Sequence, residues 1–133
     1  MKVLLDTNTC IALMRRNLHV RARMERFQPG DCAVSSITAF ELYHGLERSA
    51  QPERERAKID ELLSVVAVLA FGDADAGRAA KVRHALEQTG TVIGPFDVLI
   101  AGHALNAGLI LASNNTDEFN RVAGLTVEDW LLP

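Results

Sequence analysis

Short apolar runs alternate with helical patterns along the whole chain. Five of these runs predict β-strands, and they lie at 2–5, 32–36, 64–71, 109–113 and 125–127. The run 64–71 (SVVAVLAF) is continuous and rich in β-branched residues, which is typical of a strand covered on both faces. The run 125–127 is short and predicts an edge strand.

Helical periodicity fills the segments between these runs. Six helices are predicted, at 7–16, around Val20, Met24 and Phe27, at 37–48, at 52–63, around Ala79, Val82 and Leu86, and at 94–104. Thr7 and Asn8 are N-cap candidates of the first helix, and Pro52 begins the fourth. Strands and helices that alternate in this way predict an α/β fold with a mostly parallel central sheet.

Composition narrows the class of protein. A chain of 133 residues with 48% apolar and 23% charged residues is typical of one globular domain, here spanning 1–133. Its net charge of −3 means that a nucleic-acid partner would have to be held by local basic patches. No apolar run approaches the roughly 20 residues of a membrane helix, and Asp6 interrupts the N-terminal run too early for a signal peptide. We therefore expect no membrane association and a cytoplasmic protein, with Cys10 and Cys32 as reduced core thiols.

Acidic residues follow the ends of several predicted strands. Asp6 follows the first strand, Glu41 lies in the helix after the second, and Asp97 lies in the first turn of the helix before the fourth. Asp117 and Glu118 come shortly after the fourth strand, in the segment NNTDEF. The carboxyl ends of parallel strands meet at one edge of a sheet, where open α/β folds bind their ligands. These acids are therefore predicted to converge.

Each acid taken alone has an ordinary structural explanation. Asp6 could cap the helix that follows it, Asp97 could complement the dipole of its helix, and Glu41 could be solvated. Asp117 is the better surface candidate of the last two acids. A single shared site is the alternative, and it accounts for all of the remaining acids together.

A converging set of carboxylates requires a counter-charge. Two carboxylates about 4 Å apart repel each other by ~4 kcal/mol at an effective dielectric constant near 20. A hard divalent cation such as Mg²⁺ or Mn²⁺, which prefers oxygen ligands, supplies that charge in many sites. The histidines are scattered, and His103 lies six residues from Asp97, off its helical face, so no zinc site is indicated. Such an acidic cluster is suited to phosphoryl transfer, with a metal-activated water as the nucleophile.

Four segments carry a recognisable pattern, and they read LLDTN, SSITAFELYHGL, GPFDVLIAGHA and SNNTDEFNRVAGLTVEDW. In this order and spacing they resemble the signature segments of PIN-domain ribonucleases, and more narrowly of the VapC toxins of bacterial toxin–antitoxin pairs. The resemblance extends from residue 3 to residue 130. It implies a three-layer α/β/α sandwich around a central, mostly parallel sheet.

The resemblance also implies a Mg²⁺-dependent endoribonuclease in which Mn²⁺ can substitute. By motif, Asp6 and Asp97 match the two metal-binding aspartates, and Glu41 matches the acid of the E-L-x-x-G segment. Many PIN domains carry an aspartate where Asn115 stands, so the fourth acidic position is either Asn115 or Glu118. We favour Glu118, the acid before a phenylalanine. The reaction implied is attack of water on a backbone phosphorus, which leaves a 5′-phosphate and a 3′-hydroxyl.

Hydroxyl and amide side chains flank the first two acids. Thr7 and Asn8 follow the first, and Ser36 and Thr38 precede the second. They could donate hydrogen bonds to a ligating carboxylate or to phosphate, or they could cap the helices that begin there. The sequence leaves both roles open.

The family resemblance implies partners as well. A cognate VapB antitoxin would neutralise the toxin, and a homodimeric toxin would form with it a hetero-oligomer that binds operator DNA through the antitoxin. The substrate implied is a structured RNA such as a tRNA anticodon loop. Three basic runs could contact its phosphates or could be solvated helix faces, and they comprise Arg15, Arg16, Arg21, Arg23 and Arg26, then Arg48, Arg54, Arg56 and Lys58, then Arg78, Lys81 and Arg83. Phe96 is the aromatic residue best placed to stack on a base, although a core position fits it equally well.

Three other classes of protein can be weighed against this interpretation. A phosphatase with an aspartyl nucleophile needs a second acid two residues after the first, and the segment DTN has none. A receiver domain needs a lysine after its last strand, and none follows the run LTV. A non-catalytic PIN-like scaffold would be favoured by the loss of an acid, and all four acids are present.

Overall fold

The computed structural model describes all of residues 1–133, and it contains five strands and seven helices. The strands are β1 (Val3–Leu5), β2 (Cys32–Ser35), β3 (Ala67–Leu69), β4 (Ile110–Ala112) and β5 (Val127–Glu128). The helices are α1 (Thr7–Met14), α2 (Leu18–Met24), α3 (Ser36–Glu47), α4 (Pro52–Val65), α5 (Asp73–Gln88), α6 (Pro95–Ala107) and α7 (Thr116–Phe119).

The five strands form one parallel sheet in the order β3-β2-β1-β4-β5. The central strand β1 pairs with β2 on one side and with β4 on the other, so that Leu4 lies opposite both Ala33 and Leu111. Every strand therefore ends at the same edge of the sheet. Strands β2 and β3 are added on one side of β1, whereas β4 and β5 are added on the other. Open α/β sheets bind their ligands in the crevice at such a switch in strand order.

Alternate residues of β1 enter two separate apolar clusters. Leu4 packs with residues of α5 and α6, whereas Val3 and Leu5 pack on the opposite face with residues of α1, α2 and α4. This alternation follows from the two-residue period of a strand. The predicted α/β/α sandwich with a parallel sheet is confirmed.

A close approach between two helices fixes the position of α6. A Cβ atom built on Gly102 would lie 2.5 Å from the Cα atom of Ala79 in α5. No larger residue fits at this position without moving one backbone, so glycine allows α6 to rest directly on α5.

The prediction of a strand over 64–71 covered on both faces is wrong. Helix α4 continues through Val65, and β3 is a three-residue edge strand that pairs only with β2. The side chain of Val68 is 46% exposed. The buried residues Ile59 and Leu62 anchor α4 to the sheet, and helical hydrogen bonds then extend into the β-branched run because tertiary packing outweighs propensity. The short edge strand at the other end is confirmed as β5, two residues later than predicted.

Smaller differences lie at the ends of helices. The N-cap of α1 is Asp6 and neither Thr7 nor Asn8. Helix α2 ends at Met24, and Phe27 instead stacks on Trp130 with 5.5 Å between ring centroids. The one-turn helix α7 was not predicted. No helix of the structure combines the length and apolar character needed to cross a bilayer.

Both cysteines are free and buried, as predicted. Burial raises the pKa of the Cys10 thiol well above its usual value and that of Cys32 to about 11, so both thiols are neutral. They serve as small apolar residues in the cluster around α1.

Candidate active site

Asp6 lies at the end of the central strand and is buried. Its Oδ1 accepts the Thr9 N–H at 2.8 Å, and its own N–H donates to the Ala112 carbonyl at 3.0 Å. Burial raises the pKa of Asp6, and the hydrogen bonds from Ser113 and Thr9 oppose that rise. A carboxylate has two oxygens, each with two acceptor positions, so capping α1 leaves Asp6 able to bind a further group.

Glu41 lies on α3, directly across from the first turn of α1. The Thr7 hydroxyl is 2.7 Å from Glu41 Oε1 and donates to it, and it also lies 3.2 Å from the hydroxyl of the buried residue Thr38. Thr7 and Thr38 therefore orient this carboxylate. Ser36 has a different role, because its Oγ accepts the Phe71 N–H at 3.0 Å. Asn8 is exposed beside them.

Asp97 and Glu118 form a hydrogen-bonded acidic pair. Burial raises the pKa of Asp97 to about 7, and the rise is increased by its hydrogen bond with Glu118 and by the charges of Glu118, Asp6 and Glu41. The same hydrogen bond lowers the pKa of Glu118, with help from the Asn115 amide. In the absence of a cation and below about pH 7, Asp97 is therefore protonated and donates to Glu118.

Asn115 lies between these two acids. Its Nδ2 donates to Glu118 Oε2 at 2.7 Å and is 3.5 Å from Asp97 Oδ2. Both candidates for the fourth position are thus in the site, with the amide holding the carboxylate. The structure brings together all four predicted acids, whereas Asp117 on the same short helix is exposed.

Sequence reasoning missed several groups around the acids. The Ser113 hydroxyl lies beside Asp6, and the backbone N–H of Gly94 donates to Glu118. Asp129, which follows β5, adds a further negative charge near Asp6. The position of Asp129 directly after a strand is the signal that could have identified it.

An exposed aromatic pair borders the acids. Phe40 precedes Glu41 and Phe96 precedes Asp97, and the two rings lie 5.6 Å apart at an angle of 49°. Both rings remain about half exposed, at 51% and 43%. Phe96 was predicted to lie either in the core or where it could stack on a base. The structure places it at the surface, beside the acids.

The donor set fits a hydrated divalent cation. The four acids offer only oxygen donors, and their mutual repulsion at Asp97 is what a cation would relieve. No three side chains among the acids, histidines and cysteines lie close enough to encircle an ion by themselves. Mg²⁺ needs no such cage, because it retains several waters and binds one or two carboxylates directly.

Comparison with known proteins identifies the family. The PIN domain family model matches residues 3–125. The chain is 44% identical over 131 residues to the tRNA(fMet)-specific endonuclease VapC of Shigella flexneri, with 98% of each chain covered. It is 41% identical over 132 residues to Ribonuclease VapC2 of Haemophilus influenzae, with 98% of this chain and 99% of the relative covered.

Solved structures show the same similarity. The DNA-bound VapBC from Salmonella typhimurium contains a chain that superposes with a TM-score of 0.93 at 39% identity, and the match covers 98% of each chain. VapBC2 from Rickettsia felis, bound to a promoter DNA fragment, gives 0.91 at 31% identity, over 98% of this chain and 99% of that one. With its fold, its acidic edge and these relatives in agreement, the chain belongs to the PIN-domain family, in its VapC branch.

Proposed function

We propose that this chain is the endoribonuclease toxin of a type II toxin–antitoxin pair, with Asp6, Glu41, Asp97 and Glu118 as its catalytic acids. One observation carries the assignment of the site. Acids from four distant segments act together on the pKa of Asp97, which they and burial raise to about 7. Strongly perturbed carboxyl groups at the carboxyl edge of a parallel sheet are typical of a functional site.

Asp6 and Asp97 would hold the cation, directly or through water. Mg²⁺ is the proposed ion, and Mn²⁺ would substitute for it. When bound, the cation lowers the pKa of a water molecule and neutralises charge on the phosphate. Glu41 and Glu118 would complete the shell around the ion or orient the attacking water.

The neighbours of the acids fix the geometry for attack. Thr7 holds Glu41 by its 2.7 Å hydrogen bond, and Asn115 holds Glu118 at the same distance. Water gives up a proton as it attacks the phosphorus in line, the bond to the 3′-oxygen breaks, and the leaving oxygen takes up a proton. The products are a 5′-phosphate and a 3′-hydroxyl, and the 2′-hydroxyl of the RNA takes no part.

The aromatic pair provides a surface for an unpaired base. Phe40 and Phe96 each precede a catalytic acid in sequence, so a nucleotide next to the cleaved phosphate would lie over their rings. Base stacking on aromatic rings contributes roughly 1–3 kcal/mol per base. The Shigella relative is named as tRNA(fMet)-specific, and we propose a tRNA as the substrate of this chain too.

The basic runs contribute unequally to RNA binding. Arg23 pairs with Glu128 at 3.3 Å, Arg56 pairs with Asp60 at 3.3 Å, and Arg83 pairs with Glu87 at 3.6 Å; the last two pairs are i,i+4 pairs on exposed helix faces. The other basic residues of the runs are therefore the better candidates for contacts with RNA phosphates.

A cognate VapB antitoxin is the proposed partner. Solved structures similar to this chain are VapBC complexes, and those from Salmonella typhimurium and Rickettsia felis are bound to DNA. By analogy, we place this chain in the cytoplasm, as a homodimer that joins its antitoxin in a hetero-oligomer binding operator DNA through the antitoxin. Co-purification from the native host with a small DNA-binding protein is the expected result, and recovery of the toxin alone would count against it.

Incubation with total RNA tests the activity. With Mg²⁺ or Mn²⁺ the purified chain should produce new 5′ ends at a small number of sites, which sequencing of those ends would identify. EDTA should abolish the cleavage. Cleavage that persists in EDTA would exclude the metal assignment, and the absence of any cleavage would exclude the proposed activity.

A further inference from the structure

A buried polar network lies beneath the acidic site. Ser35 ends β2 and His103 lies on α6, and both side chains are almost completely buried, at 0% and 3% exposure. His103 Nδ1 is 2.8 Å from Ser35 Oγ. On the other side of the ring, Nε2 lies 3.6 Å from Asp75 Oδ2.

The remaining hydrogen bonds of the network hold Asp75 in place. Its carboxylate accepts the Gly72 N–H and the Asn106 side-chain amide, each at 2.8 Å. The ring of Phe71 meets His103 edge-on, with 5.4 Å between centroids. No fully buried side-chain polar atom of the structure lacks a hydrogen-bond partner. The contact of His103 Nε2 with Asp75, at 3.6 Å, is longer than a hydrogen bond.

The order Ser–His–Asp resembles that of a hydrolytic triad, but this network has no access to a substrate. Ser35 Oγ is completely buried, and it accepts the Ile37 N–H at 3.0 Å as the N-cap of α3. The Ser35 proton is then directed to Nδ1 of a neutral imidazole, whose Nε2–H faces Asp75. Burial keeps the pKa of His103 low, which favours this neutral form.

The network joins the two helices that carry catalytic acids. Ser35 caps α3, on which Glu41 lies, and His103 is on α6, whose first turn carries Asp97. We infer that the Ser35–His103 hydrogen bond fixes the position of Asp97 relative to Glu41, an inference that rests on the proposed function. Small displacements of catalytic groups have large effects on rate, so its loss should act on kcat.

Two substitutions separate the two sides of the imidazole. His103→Asn retains an acceptor near the Nδ1 position and so keeps the bond to Ser35. His103→Gln places its amide near Asp75 and loses that bond. With an RNA oligonucleotide as substrate, we expect His103→Gln to lower kcat roughly 10- to 100-fold with KM changed by less than about two-fold, and His103→Asn to recover most of the loss.

Val82→Ala is the matched control for stability. Val82 is buried in the apolar cluster that residues of α5 and α6 form, and it takes no part in the network. The Val82→Ala substitution should lower the melting temperature about as much as His103→Gln does, and it should leave kcat unchanged. If Val82→Ala and His103→Gln lower kcat equally, the positioning role is excluded. It is also excluded if His103→Gln cleaves RNA as well as His103→Asn does.

A second measurement does not depend on cleavage. Calorimetric titration with Mn²⁺ alone should show a loss of affinity of about 10-fold in His103→Gln, and no loss in Val82→Ala or His103→Asn. Equal affinity in all three variants would exclude the inference. A wild-type chain that binds Mn²⁺ but does not cleave RNA would refute the proposed function, while the titration would still test the network.

Discussion

The side-chain amide of Asn115 donates a 2.7 Å hydrogen bond to Glu118. A neutral group thus occupies the position where many PIN domains carry an aspartate, and it holds a carboxylate placed three residues later. The charge of the site is kept by Glu118, while Asn115 contributes a donor that lowers the pKa of its neighbour. We propose that the two residues together serve as the fourth position of the site.

Replacing Asn115 with aspartate should separate these roles. Asn115→Asp exchanges a donor for a charge beside Asp97 and Glu118, so repulsion should lower the free energy of unfolding in EDTA by about 1 kcal/mol. Added Mg²⁺ should stabilise this variant more than the wild type. Thermal unfolding with and without Mg²⁺ measures both effects, and a melting temperature in EDTA equal to that of wild type would contradict the proximity of these charges.

Asp97→Asn should abolish RNA cleavage and growth inhibition without unfolding the protein. At neutral pH Asp97 is partly ionised, so the substitution removes negative charge from a crowded set. Stability in EDTA should therefore hold steady or rise by on the order of 1 kcal/mol, after allowance for the partial exposure of the group. The exposed neighbour Asp117 supplies the control, Asp117→Asn, which should retain activity. A variant that cleaves RNA but is less stable by roughly 0.3–1 kcal/mol would show that Asp97 only complements the helix dipole.

The raised pKa of Asp97 predicts a pH dependence of stability in EDTA. The pKa of the native carboxyl group is about 7, above its ordinary value of 3.8, so the native state retains a proton that the unfolded chain releases. Stability contributed by this group should therefore fall as pH rises from about 4 to about 7 and then level off. The Asp97→Asn variant has no titrating group at this position. The melting temperature of the variant minus that of the wild type should therefore increase as pH rises from about 4 to about 7. A difference that is constant with pH would contradict the assignment.

Phe96→Ala should weaken RNA binding more than it slows the reaction. Loss of one stacking surface is expected to raise KM roughly tenfold, equivalent to about 1.4 kcal/mol, with kcat less affected. Leu18→Ala, at an exposed apolar position on α2, is the control and should leave KM unchanged. If light scattering shows that Phe96→Ala changes the oligomeric state and KM stays the same, the ring belongs to an interface between copies of the chain.

The sequence by itself determined the α/β class and most of the strands. Four of the five predicted runs became strands within two residues of their expected positions, because burial of short apolar runs is a local property of the chain. The placement of Asp6 after β1 and of Asp97 after Gly94-Pro95 was also readable, since strand ends and helix starts have local signals. Once the sheet is parallel, its carboxyl edge collects these acids.

Only the tertiary structure decided which partner each side chain meets. The run 64–71 carries the composition of a central strand, yet its position at the edge depends on the order of strands in the sheet. Ser35 and His103 meet because α6 packs beside the junction of β2 and α3, and no local pattern encodes that distance. The same holds for the raised pKa of Asp97, because a pKa depends on burial and on the charges that the fold brings nearby.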